Sequence, residues 1–232
     1  MKAILLRVGI DKGSGGVLAP IFSDGSFEYI PIPEEVESTE SQTYNNTLGR
    51  TGEPLGYYVP LKIRDNIMHF DPEFKTFTYG DPSSKRNFLL KLDKKDLLVF
   101  YAGLTPYENE FYPEALYIIG YFIVKEVIDF NKLSESETQD YMKQYHNNSH
   151  IKRKMDLKDL IIVAGYNKES KLLNKAIIIS HPKLNKAGRT YHAVSREIEM
   201  KLGIQGSIQR SIPPRIIENQ KNIENLKKIL RL

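Results

Sequence analysis

The 232-residue chain has no cysteine and no tryptophan. The missing cysteine excludes disulfides, thiolate zinc sites and cysteine nucleophiles together, and it points to the cytoplasm. Long apolar runs are missing too. "IIVAG" and "AIIIS" fall far short of the roughly 20 residues a membrane helix needs, so no membrane association is expected. The opening "MKAILLRVGI" meets a charge and a glycine too early to read as a signal peptide. No repeat of 20–50 residues is found, and the only biased segment is the acidic "PEEVESTES".

What is present is an ordinary globular composition, 41% hydrophobic and 27% charged. It suits one domain over residues 1–232. Formal net charge is a modest +4, but its distribution is uneven. Residues 147–232 hold 18 basic and 7 acidic side chains, while residues 1–60 hold 4 and 8. A basic final third is the footprint of a polyanion site, or else a lysine-coated solubilising face.

The first strand is "KAILLRV", followed by the glycine loop "GIDKGSGG". "IFSDGSFEYIPIP" reads as a hairpin turning at Asp24-Gly25. Residues 34–56 are polar and unpatterned, a long surface loop. "DLLVFYAGL" and "ALYIIGYFIVKEV" are strands by their β-branched and aromatic content. "DLIIVAG" and "KAIIIS" read as two buried strands. Ser134 and Glu137 have capping-box spacing ahead of a helix, and Ser195 with Gly203 brackets another. "RIIENQKNIENLKKILRL" puts Ile216, Ile223, Leu226 and Leu230 on one face of a terminal amphipathic helix, which packs on the sheet or meets a partner. Strands and helices do not alternate regularly. The expected class is therefore α+β: a β-rich mixed or antiparallel sheet, or a partial barrel, with peripheral helices.

Four constellations can carry chemistry. In the glycine loop, Lys12 precedes the glycines, so no Walker loop is present, and the third glycine of a dinucleotide fingerprint is missing. Gly13, Gly15 and Gly16 remain candidates for an amide nest that holds an anion. Arg7 and Asp11 flank the loop at a spacing that suits either an ion pair or a shared site. In "MHFDPEFKTFTYGDP", His69 and Asp71 alternate as strand residues on one face, with Asp81 after a glycine. A histidine with carboxylates binds a divalent metal or works as an acid–base pair, and twice Asp-Pro is also plain turn chemistry. The spacing decides no cofactor. His146 and His150 stand four apart around Asn-Asn-Ser. In "SIQRSIPPRII", Arg210 and Arg215 bracket a rigid double proline; with Arg189 and Arg196 they suit phosphates or guanine edges. Tyr101, Tyr117 and Tyr121 lie on strands, and either stack on a splayed base or fill the core.

The opening "ILLRVGIDKGSGGVLAPIFSDGSFEYIPIPE" resembles the start of the third nucleotide-modification-associated domain family. "HFDP", "YGD", "DLLVFYAGL" and "YIIGYFIV" follow in that family's order, and "SIQRSIPPRII" is similar to its C-terminal element. Gln209 and Ile216 stand where that element carries an aromatic. The resemblance implies association with systems that modify DNA bases or act on modified DNA. The strand pair "DLLVFYAG…YIIGYFIV" also looks like the paired strands of PUA-like modules, which include readers of modified bases.

Three readings follow. A binding module would grip DNA through Arg189, Arg196, Arg210, Arg215 and the glycine loop, and stack a base on Tyr101, Tyr117 or Tyr121. An enzyme acting on a nucleotide or DNA base would gather Arg7, Asp11, His69, Asp71 and Asp81. A partner-binding protein would use the terminal helix. Nucleic acid or nucleotide is the partner expected by the first two.

Overall fold

The computed structural model describes residues 1–108, 110–208 and 212–232. Among them the chain forms strands β1 (Ala3–Arg7), β2 (Ala19–Ile21), β3 (Ile32–Pro33), β4 (Met68–His69), β5 (Thr78–Asp81) and β6 (Leu97–Pro106). There follow β7 (Ala115–Asp129), β8 (Ile161–Gly165), β9 (Lys171–Ile178), β10 (Ser180–Leu184), β11 (Thr190–Val194) and β12 (Arg215–Ile217). The helices are α1 (Arg86–Leu89), α2 (Glu135–Gln144), α3 (Ser149–Lys152), α4 (Arg196–Leu202) and α5 (Gln220–Leu230).

The main sheet runs β12-β1-β6-β7-β8-β5, with β2 also on β6 and β9 also on β7. β1 and β2 are parallel to β6; the other pairings are antiparallel. The sheet stays open and does not close into a barrel. Near-continuous apolar sequence in β1, β6 and β7 is explained by cover on both faces. Ala3 through Leu6, Leu97 through Leu104 apart from Gly103, and Ala115 through Ile119 are all at most 3% exposed. Parallel pairing sets Arg7 opposite Tyr101 and ends β1 at the glycine loop.

The terminal stripe belongs to this core. Ile223 and Leu226 are fully buried and Leu230 nearly so, with α5 packed against α4. That cover within the chain removes the apolar face a partner would use, which corrects the partner-binding alternative. Ile216 lies in β12 rather than in the helix, because this β-branched pair of isoleucines continues the sheet beside β1. Both forecast caps are present: Ser134 and Glu137 form the capping box of α2, and Gly203 ends α4 in the left-handed region.

The Asp24-Gly25 hairpin forms as expected: its arms meet at an Ile21–Phe27 bridge, the Phe22 amide donates to the Ser26 carbonyl at 2.8 Å and the Glu28 amide to the Pro20 carbonyl at 3.2 Å. One local expectation needs correction. β9 is half exposed rather than buried, because it pairs only with β7. The 34–56 stretch is irregular as expected, yet anchored: Tyr44 is fully buried and donates its hydroxyl to the Pro31 carbonyl at 2.9 Å.

Candidate functional site

The small ladder β3–β4 begins the site. It pairs Ile32 with His69, and the Glu34 amide extends it by donating to the Ile67 carbonyl at 2.8 Å. Glu34 thus reaches His69, and its Oε2 lies 2.8 Å from Nδ1. Two residues on, Asp71 is oriented by the Gly80 amide, which donates to Oδ1 at 2.8 Å.

The third component comes from α3. Asn148 caps that short helix by accepting from the His150 amide at 3.0 Å, and its own amide donates to Thr78 Oγ1 at 3.1 Å. This buried asparagine ties α3 to β5 and sets the His150 ring against Gly80. A Cβ on Gly80 would lie 2.6 Å from His150 Cδ2, so the close approach requires glycine there.

The His69 and His150 rings meet edge to face with centroids 4.7 Å apart. His150 Nε2 is 3.6 Å from Asp71 Oδ2. Arg153 grips Glu34 through Nε at 3.0 Å and Nη2 at 2.9 Å, and its Nη1 points at His150 Nδ1 at 3.3 Å. Each imidazole therefore has a carboxylate at one nitrogen, and Arg153 joins the two pairs.

His69, Asp71, His150 and Arg153 border a cavity of about 280 Å³, whose other walls include Arg7, Tyr79, Asp81 and Lys85. Four of the five residues expected to form an enzymatic site, Arg7, His69, Asp71 and Asp81, thus line one cavity. Asp11 lines a neighbouring cavity of about 750 Å³, which Arg7 also borders. Gly103 makes that double role possible, since a Cβ there would lie 2.8 Å from Arg7 Nη2.

Electrostatics favour a neutral His69 beside an ionised Glu34. Burial pushes the His69 imidazole below its ordinary value, against the opposing pull of Glu34. Burial alone would raise Glu34, but the hydrogen bonds from His69 and Arg153 outweigh it and hold the carboxyl at about 2. An ionised Glu34 accepts the Nδ1 proton, leaving Nε2 as the basic nitrogen of His69.

His69, Asp71 and His150 offer ligand atoms within 4.8 Å of one another, the one such group among the described residues. A guanidinium can only donate, so Arg153 at Nδ1 puts the His150 proton on Nε2. A metal would need that nitrogen's lone pair, with Arg153 turned away. The arrangement therefore suits proton transfer better than cation binding.

One comparison with known proteins is decisive. The family model described as nucleotide modification associated domain 3 matches residues 2–211. The chain belongs to that family. No curated protein and no solved structure matches it. Membership in nucleotide modification associated domain 3 ties the chain by name to nucleotide modification, and no helix among the described residues is long and apolar enough to cross a membrane.

Within this domain 3 chain the remaining expected site residues are scattered. The Asp11 carbonyl accepts from the amides of Ser14 and Gly16, both at 3.0 Å, and its carboxylate accepts from Gly13 at 2.9 Å. Those amides point inward to Asp11, so Gly13 and Gly16 build no anion nest. Gly15 faces Ile10 and Ile63 instead. Tyr101, Tyr117 and Tyr121 are at most 4% exposed, and Tyr117 donates to the Pro113 carbonyl at 2.6 Å. Strand positions covered on both faces leave them no ring face for a base. Arg189 and Arg196 are exposed. Arg215 is half-buried and donates to the Ser207 carbonyl at 2.7 Å. Arg210 lies outside the described residues.

Sequence reasoning missed Glu34, His150 and Arg153. By spacing His150 pairs only with His146, which is exposed and bonded to the Lys143 carbonyl. The usable signal was "NNSHIK", where Asn148 precedes a short helix as a cap. Nothing in "PIPEE" singles out Glu34.

Proposed function

We propose that the protein performs acid–base chemistry on a nucleotide, free or within DNA, in the cavity bounded by Arg7, His69, Asp71 and Asp81. One observation carries this reading: two edge-to-face imidazoles, each with a carboxylate at one nitrogen, border a cavity that also has cationic walls. His69 Nε2 takes a proton from the reacting group, and Glu34 steadies the imidazolium that results. His150 Nε2–H donates a hydrogen bond to negative charge that develops on the reacting group. Arg7 and Lys85 receive phosphate oxygens. In a DNA substrate, the exposed basic side chains of residues 147–232 take up further phosphates, Arg189 and Arg196 among them. Family membership supports the nucleotide; the cavity supports the chemistry.

The test is calorimetric titration with the four deoxynucleoside 5′-monophosphates and with inorganic phosphate. Wild-type protein is expected to bind at least one nucleotide, and Arg7→Gln to weaken it at least tenfold while still folding. No binding by any nucleotide, or equal binding by Arg7→Gln, overturns the reading.

A further inference from the structure

Strands β10 and β11 form a two-stranded sheet of their own, paired from Ser180–Val194 to Leu184–Thr190. The root of this hairpin is fixed to the main sheet. Ser180 Oγ accepts from the Leu116 amide at 2.8 Å, and the Ile179 amide donates to the Leu116 carbonyl at 2.9 Å. Asn185 closes the tip, its side chain accepting from the amides of Ala187 and Arg189, both at 2.9 Å. Residues 182–190 are all exposed. A rigid root with a turn-locked, fully exposed tip is an arm.

The arm's charge is one-sided. Residues 180–194 contain Lys183, Lys186 and Arg189 and no acidic residue. Elsewhere some lysines pair with carboxylates, Lys12 with Glu114 at 2.6 Å, Lys95 with Glu169 at 2.9 Å and Lys201 with Glu197, and others stand singly; the arm gathers its cations on one tip. Among the described residues no carboxylate pairs with Lys183, Lys186 or Arg189. Lysines also protect exposed strand edges from aggregation, but that role does not call for three unpaired cations on a single exposed tip. Five-residue strands span about 17 Å, and a two-stranded ribbon fits the roughly 12 Å major groove of duplex DNA.

The arm also stands beside the site. Thr190 and His192 border the larger cavity together with Arg7, the residue that also borders the acid–base cavity.

We infer that the β10–β11 hairpin is a DNA-binding arm that lies against duplex DNA and contacts phosphates through Lys183, Lys186 and Arg189. The inference rests on the nucleotide reading above and narrows its substrate class to a nucleotide carried in duplex DNA. Each phosphate contact contributes about 0.9 to the slope of log affinity against log salt.

The experiment is fluorescence anisotropy of a labelled 20-base-pair duplex between about 50 and 300 mM salt. It compares wild type with the triple variant Lys183→Gln, Lys186→Gln, Arg189→Gln. A control triple variant, Lys62→Gln, Lys94→Gln, Lys132→Gln, removes the same charge from exposed positions outside residues 147–232. The arm variant is expected to lose at least tenfold in affinity at low salt, with a slope shallower by about 2–3; the control should change both less. Equal losses in the two variants, no loss in the arm variant, or no duplex binding by wild type overturns the arm. The arm variant must keep its nucleotide titration and its melting temperature, so the arm and the acid–base cavity can fail separately: lost duplex binding with intact mononucleotide binding leaves the cavity standing, and the reverse leaves the arm.

Discussion

Glu34 Oε2 accepts from His69 Nδ1 at 2.8 Å across 35 residues of sequence, and the same carboxylate takes two hydrogen bonds from Arg153. Glu34→Gln removes the charge that both partners face. A side chain 2% exposed is then replaced by an amide beside a guanidinium that has lost its counter-charge. Breaking one side of such a buried pair costs about 3 kcal/mol. Urea denaturation should show a loss of that order, whereas a change under about 0.5 kcal/mol would mean the pair is solvated.

The acid limb of stability follows from the same two residues. His69 titrates below 6.5 because burial disfavours the imidazolium. Its unfolded form binds protons more readily, so its contribution is present above 6.5 and is lost as pH falls through the folded value. Glu34, held at about 2 from an ordinary 4.5, contributes above 4.5 and loses that contribution between 4.5 and 2. Both effects have the same sign. Stability should fall on acidification from pH 7, first from His69 and then from Glu34, and in Glu34→Gln the fall between pH 4.5 and 2 should be reduced. A His69 midpoint above 6.5 by imidazole NMR would contradict the burial argument.

Gly80→Ala tests the placement of His150. The new methyl would lie 2.6 Å from the ring, and the ring is packed between β5 and α3. Overpacking of this kind costs about 1–3 kcal/mol. The His150 imidazole resonances should shift while those of His146, exposed on the far side of Asn148, stay put. Unmoved His150 resonances would show that the ring has room.

Leu226→Ala distinguishes core from interface. Leu226, on the inner face of α5, is fully buried, so truncation should cost about 2–5 kcal/mol. A variant as stable as wild type would return the apolar stripe to the role of a partner surface.

The sequence carried the strands and caps because those signals are local. Apolar runs in β1, β6 and β7, the Ser134–Glu137 box and Gly203 each state their structure within a few residues. Arg7, His69, Asp71 and Asp81 were legible as chemistry, and their convergence on one cavity follows from β1, β4 and β5 ending near one another. His150, Glu34 and Arg153 were not legible, because long-range contacts bring them in: β3–β4 pairing for Glu34, and the Asn148–Thr78 hydrogen bond for α3. Burial explains the failure of the tyrosines. Alternation cannot tell a strand covered on one face from one covered on both, so Tyr101, Tyr117 and Tyr121 read the same either way. The glycine loop differs for another reason: Asp11, a catalytic candidate by spacing, is the residue that binds the loop's amides.

Binding of a nucleotide where the two imidazoles meet is read by imidazole NMR during a titration with deoxynucleoside 5′-monophosphate. The His69 and His150 signals should shift along one saturating curve that His146 and His181 do not follow, and Arg7→Gln should move the midpoint at least tenfold higher. Saturable binding that leaves His69 and His150 unmoved would contradict binding there.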